Sequence, residues 1–75
     1  MILKKLGERI KQLRKGAGIS QEKLAELAGL DRTYINSVEN GKRNISIINM
    51  EKICIALEIS LSDFFNTDII KGIQK

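Results

Sequence analysis

Residues 20–39 read SQEKLAELAGLDRTYINSVE, and this stretch decides the fold. Ser20 is a good N-cap for a helix, and the apolar residues that follow it keep helical spacing as far as Gly29. A glycine at that place readily takes the left-handed conformation that ends a helix. Asp31 is a second N-cap, from which another helical pattern runs to about Glu39. The stretch therefore predicts two short helices joined by a tight turn.

The second of these helices is predicted to have one apolar face and one polar face. Ile35 and Val38 lie three residues apart and should face inward, while Ala25 is small where the two helices cross. A steep crossing over a glycine-containing turn is a helix-turn-helix arrangement. The outward face then carries polar side chains, with Tyr34 at its edge: Arg32, Thr33, Asn36 and Ser37. A polar outward face on the second helix is typical of a helix that enters the major groove of DNA.

Three further helices are predicted around this pair. The first carries an apolar residue at every third or fourth position from Leu3 to Leu13. The fourth is capped by Ser46, and the fifth opens with a capping box that starts at Ser60. Because no segment alternates with the period of a strand, we expect an all-α fold, a compact five-helix bundle.

The chain is divided by this pattern into a domain and a tail. Residues 1–65 form the helix-turn-helix domain, and residues 66–75 form a C-terminal tail. The tail retains three isoleucines: Ile69, Ile70 and Ile73. It either extends a helix or packs on a partner as part of a dimer contact.

Charge is distributed unevenly along the 75 residues, whose formal net charge is +4. Residues 1–45 contain ten Lys or Arg and five Asp or Glu, whereas residues 46–75 contain three and four. A polyanion such as nucleic acid would therefore meet the first part of the chain.

Composition argues against several classes of function. The chain has no histidine, which removes the usual general base and a common metal ligand, so we expect neither an enzyme nor a metal site. No cofactor and no small-molecule ligand are expected. Cys54 lies in an apolar run and is predicted to be a buried, inert thiol. Since a lone thiol suits a reducing compartment, and neither a signal peptide nor a membrane-length apolar run is present, a cytoplasmic protein without a membrane partner is expected.

The stretch from about residue 5 to residue 65 resembles the Cro/C1-type (XRE-like) helix-turn-helix family, the lambda-repressor-like proteins of phages and bacteria. Residues 30–35 (LDRTYI) and 43–46 (RNIS) resemble more closely the controller proteins of restriction–modification systems. This resemblance implies a homodimer that binds a near-palindromic operator in double-stranded DNA and both activates and represses its own operon. A phage-type repressor and an antitoxin subunit that binds DNA and a protein partner are the alternatives.

The resemblance also implies which residues contact DNA: Gln21, Arg32, Thr33, Tyr34, Asn36, Arg43 and Asn44. The outward helix face adds Ser37, and the turn after it adds Lys42. Arg32 lies in the first turn of the recognition helix, and its guanidinium matches the O6 and N7 acceptors of guanine. Thr33 can meet a thymine methyl or a phosphate, and Gln21 lies at a helix N-terminus that favours phosphate.

The remaining contact residues are expected to hold the DNA backbone: Tyr34, Lys42, Arg43 and Asn44. Alternatives to these backbone contacts stay open. Lys42 and Arg43 could form a solvated turn, and Tyr34 could be a packed ring at the helix edge.

Two charged pairs have separate expectations. By the resemblance, Arg14 and Glu39 form a partly buried ion pair that ties the first helix to the recognition helix. Glu22 and Glu26 lie four residues apart on an outward face and match acidic positions that contact RNA polymerase in activating phage repressors. We call Glu22 and Glu26 the activation patch. The alternative is a solvated helix face on which Lys23 offsets the repulsion between the two acids.

A dimer interface is expected in the C-terminal third. More apolar residues lie there than a core of this size should absorb, and an exposed apolar cluster usually marks an interface. The residues assigned to it are Ile59, Leu61, Phe64, Phe65 and Ile69.

Overall fold

The computed structural model describes residues 2–71, and within that range it has six helices and no strand. In chain order they are α1 (Ile2–Gly16), α2 (Gln21–Ala28), α3 (Arg32–Glu39), α4 (Ile47–Ala56), α5 (Leu61–Phe65) and α6 (Asp68–Lys71). The all-α expectation is confirmed, and each of the five predicted helices is present. The additional short helix, α6, lies in the predicted tail.

Serine side chains start three of the helices. Ser20, Ser46 and Ser60 each accept a hydrogen bond from the backbone amide three residues further on, at 3.0, 3.1 and 3.0 Å respectively. Each bond satisfies an amide that has no partner inside its helix. Asp31 takes the extended conformation of an N-cap, but its side chain makes no capping hydrogen bond.

The turn between α2 and α3 has the predicted left-handed glycine. Gly29 has φ +70°, and the amide of Leu30 donates to the carbonyl oxygen of Ala25 at 2.9 Å. This bond closes the last turn of α2 and turns the chain directly into α3.

One hydrophobic core joins all six helices. Helices α1 to α5 each contribute one fully buried side chain: Ile10, Leu24, Ile35, Ile53 and Phe64. Ile70 of α6 is also buried, and α6 packs against α1. Part of the tail therefore belongs to the packed bundle, while Ile73 lies outside the described residues.

Helix α1 crosses very close to the end of α3 at Gly7. A Cβ atom at this position would collide with the carbonyl oxygens of Val38 and Glu39. Because those are backbone atoms at the end of a helix, they cannot move aside as a flexible side chain would. The bare backbone of Gly7 thus lets α1 hold α3 directly in place.

Candidate nucleic-acid interface

Helix α3 is anchored by its inner face and open on its outer face. Ile35 and Val38 are buried in the core. Arg32, Thr33 and Asn36 are exposed, and Ser37 is half-buried. The structure therefore brings the sequence-predicted polar residues of this helix onto one accessible surface, at the N-terminal and middle part of α3.

The inner face of α3 also holds a buried ion pair. Arg14 Nε donates to Glu39 Oε2 at 2.6 Å, and Arg14 Nη2 donates to Glu39 Oε1 at 3.1 Å. The Glu39 side chain is fully buried. A further bond from Arg14 Nη1 to the carbonyl oxygen of Ile19, at 2.8 Å, ties in the segment before α2. The pair thus joins α1, α3 and the entry to α2.

A chain of side-chain amides runs from this ion pair to the surface of α3. Gln21 Nε2 donates to Glu39 Oε1 at 3.0 Å, and Gln21 Oε1 accepts from Asn36 Nδ2 at 3.2 Å. Asn36 Oδ1 in turn accepts from Asn40 Nδ2 at 3.3 Å. We call these four residues, Glu39, Gln21, Asn36 and Asn40, the amide relay. Asn40 is not among the residues that the sequence singled out.

The segment after α3 is organised by Tyr34. Asn49 Nδ2 of α4 donates to the hydroxyl of Tyr34 at 3.1 Å, and the guanidinium of Arg43 lies 5.2 Å from the centre of the ring. Tyr34 is half-buried, whereas Lys42, Arg43 and Asn44 are exposed. The ring is thus packed at the edge of α3 and at the same time orders a cation beside the exposed polar face of this helix.

Arg9 is a structural residue that sequence reasoning missed. Its Nε donates to the carbonyl oxygen of Phe64 at 2.7 Å, and its Nη2 donates to that of Asp63 at 2.8 Å. A cation at the C-terminal end of α5 binds carbonyl oxygens of the last turn and complements the negative end of the helix. No local pattern could have shown this contact, because the partners lie 54 and 55 residues apart.

The two acids of the expected activation patch are exposed on α2. Glu22 and Glu26 both point to solvent, and Lys23 Nζ lies 3.2 Å from Glu26 Oε1. An exposed ion pair of this kind contributes little to stability. It partly neutralises the charge of Glu26.

The expected dimer interface needs a correction at Phe64. Its side chain is completely buried in the core, so it has no surface to offer a partner. Three more of the assigned residues, Ile59, Leu61 and Ile69, are half-buried and pack against that core. Phe65 alone of the five has an exposed side chain, at 39%.

A different apolar surface is exposed on α4. Ile47, Ile48 and Ile55 are 67%, 63% and 69% exposed. Ile48 and Ile55 lie two helical turns apart, so they share one face. We call these three residues the α4 apolar face. The signal was present in the sequence, since α4 is apolar around more of its circumference than a one-sided helix requires.

Other kinds of site find little support in the described range. No group of three or more His, Cys, Asp or Glu residues within residues 2–71 is placed to hold a metal ion. Burial raises the pKa of the Cys54 thiol, which keeps it protonated and unreactive at neutral pH. None of the described helices is both long and apolar enough to cross a bilayer.

Comparison with known proteins identifies the family. The profile of the helix-turn-helix family matches residues 10–64. The control protein C.MunI of a Mycoplasma species is 49% identical over 63 residues, which are 83% of this chain and 85% of that protein.

Solved structures show the same relationship. The restriction–modification controller protein C.AhdI from Aeromonas hydrophila superposes with a TM-score of 0.82 and 48% identity, over 84% of this chain and 96% of that one. C.Esp1396I bound to a 25 base pair operator site superposes with a TM-score of 0.86 and 41% identity, over 100% of this chain and 97% of that one. The chain therefore belongs to the helix-turn-helix family, and its relatives there include the controller proteins of restriction–modification systems.

Proposed function

We propose that this protein is a sequence-specific transcription regulator that binds double-stranded DNA and controls the operon of a restriction–modification system. It acts in the cytoplasm by binding alone, without catalysis. The observation that carries the proposal is the exposed polar face of α3, held rigidly by a buried inner face. A solved relative with the same fold is bound to an operator.

Within this function the site residues divide into two groups. Arg32 reads a guanine through its two parallel donors, and Thr33 and Ser37 lie along the same groove-facing surface. Arg43, Lys42 and Asn44 hold the phosphate backbone, and the packing of Arg43 on Tyr34 gives that contact a defined position. Backbone contacts set the register in which the base contacts can form.

We propose that the α4 apolar face, extended by Phe65, is the dimer interface. Three exposed isoleucines on one short helix are unfavourable in water, and covering them with a second copy removes that cost. A two-fold dimer would place two recognition helices about 34 Å apart, one turn of DNA. The operator is then a near-palindrome with two half-sites.

We propose further that Glu22 and Glu26 contact RNA polymerase when the dimer lies just upstream of a promoter. Both are exposed and lie on α2, outside the amide relay and the core. Acids next to DNA oppose binding to phosphate, and a contact with polymerase would give them a role.

Selection of binding sites from random DNA is the direct test. The expected result is a near-palindromic site of two half-sites, which also occurs next to restriction and modification genes in the source genome. Binding that weakens with salt but shows no sequence preference would contradict the proposal, because phosphate contacts alone give non-specific binding.

A further inference from the structure

The direction of the amide relay is set at its buried end. Glu39 is a carboxylate paired with Arg14, so its oxygens can only accept hydrogen bonds. Gln21 must therefore present its donor, Nε2, to Glu39. Its acceptor, Oε1, is then left facing Asn36. The order of donors and acceptors therefore follows from the chemistry of the carboxylate, and it holds along the whole relay.

The relay in turn sets the orientation of the Asn36 amide. With the oxygen of Gln21 on one side, Asn36 must turn its Nδ2 towards Gln21 and its Oδ1 towards Asn40. A primary amide has two N–H donors and an oxygen with two lone pairs. One donor and one acceptor of Asn36 therefore stay available on the exposed face of α3.

An amide with one donor and one acceptor available, side by side, is complementary to adenine. Its oxygen can accept from the N6 amino group while its nitrogen donates to N7. Asn36 lies one helical turn after Arg32, on the same surface. The two residues are thus placed to read different base pairs of one half-site.

We infer that Asn36 reads an adenine in the major groove and that Gln21 is a positioning residue that holds the Asn36 amide in the reading orientation. The inference rests on the proposed function. Without Gln21, the amide can turn by half a rotation and exchange its donor and acceptor. The pattern then no longer matches adenine.

This role differs from a phosphate contact by Gln21. Loss of a phosphate contact weakens binding to all sequences about equally. Loss of a positioning residue lowers the preference for one base and leaves affinity for non-specific DNA nearly unchanged. Base preference therefore separates the two roles, and a purely structural role would not change it at a single base pair.

The experiment measures the affinity of the 75-residue chain for its selected operator and for all single-base variants of one half-site. The variants are Asn36→Ala, Gln21→Met and the double mutant. Gln12→Met is the matched control, because Gln12 is exposed on α1 and its amide bonds only Arg9 among the described residues. Thermal melting shows that each variant is folded.

Asn36→Ala should lower the preference for adenine by about 5- to 100-fold at one base pair, the range expected for a two-bond contact. Gln21→Met should lower the preference at the same base pair by at least about 5-fold. The double mutant should lose no more of this preference than Asn36→Ala loses alone. Gln12→Met should leave every preference unchanged. Asn40→Ala removes an exposed hydrogen-bond partner at the other end of the relay. It should lower the preference at the same base pair by a smaller factor.

Three outcomes would overturn the inference while the proposed function stands. The first is an Asn36→Ala variant that keeps every base preference of the parent chain. The second is a Gln21→Met variant that binds all sequences more weakly but keeps the adenine preference. The third is independent effects of the two substitutions in the double mutant. An unmodified chain that selects no sequence at all would instead contradict the proposed function.

Discussion

Arg14 and Glu39 lie 25 residues apart in the chain, yet two hydrogen bonds of 2.6 and 3.1 Å join their side chains inside the protein. The pair holds α1 against the end of α3, the recognition helix. Its geometry also orients Gln21 and, through it, Asn36 at the surface. One buried contact therefore serves both the fold and the proposed DNA-contacting surface of α3.

Breaking this pair from one side should be costly. Glu39→Gln leaves the Arg14 guanidinium buried without its counter-charge, and we expect a loss of about 3–5 kcal/mol in the free energy of unfolding. The double mutant Arg14→Met, Glu39→Leu removes both charges and should be more stable than the single mutant. Urea unfolding measures both values. Equal losses in the single and double mutants would show that the unpaired charge is not the cause.

Base reading and backbone anchoring should be separable at two arginines. Arg32→Ala should weaken binding to the specific site by about 1–3 kcal/mol and relax preference at one base pair per half-site. Arg43→Ala should weaken binding to all sequences and reduce the steepness of the salt dependence. Titration of operator and random DNA at several salt concentrations measures both effects. An Arg32→Ala variant with an unchanged preferred sequence would contradict the assignment.

The close approach at Gly7 predicts a strong effect of one methyl group. Gly7→Ala should lower the free energy of unfolding by at least about 2 kcal/mol, because the added Cβ meets backbone that cannot move aside. Gly16→Ala is the matched control, since a Cβ there meets no atom within 4 Å and alanine favours a helix. Thermal melting should therefore show opposite shifts for the two variants. A Gly7→Ala variant as stable as the parent would mean that α1 can move away from α3.

The α4 apolar face should control self-association. Ile48→Glu and Ile55→Glu each place a charge on the α4 apolar face. We therefore expect each variant to sediment as a monomer at micromolar concentration. Leu27→Glu is the control, because Leu27 is 51% exposed on a different helix, α2. It should leave the dimer intact. A parent chain that is already monomeric, or a Leu27→Glu variant that dissociates equally, would exclude α4 as the interface.

The acids of α2 should affect transcription more than binding. In a Glu22→Gln, Glu26→Gln double mutant, operator affinity should hold or rise, because negative charge close to phosphate is removed. Activated transcription in a reconstituted promoter assay should fall. Full activation at full operator occupancy would rule out a polymerase contact through these residues.

Local signals explain why most helices could be predicted from the sequence. Ser20, Ser46 and Ser60 cap helices through atoms three residues away, and Gly29 ends a helix by its own backbone conformation. Such contacts depend on neighbours in the chain, so a pattern reveals them. The boundary between α5 and α6 was not visible, because four residues of helix give too short a pattern.

Contacts between residues far apart in the chain could not be predicted from the local sequence pattern. Phe64 and Phe65 are adjacent and chemically identical, and only the packing of α5 decides that the first is buried and the second exposed. The bonds of Arg9 to α5 and the collision that Gly7 avoids depend on helices distant in the chain. The contact between Arg14 and Glu39 was expected only because the sequence resembles a known family.

The way α3 is held has a consequence for how specificity can change during evolution. Its inner face, together with Gly7, Arg14 and Glu39, carries the constraints of folding, whereas Arg32, Thr33 and Asn36 point away from the core. Under the proposed function, substitutions at these outer positions should change which bases are contacted without disturbing the scaffold. Related proteins can therefore acquire new operators by changing a few surface side chains, while the backbone that presents them stays the same.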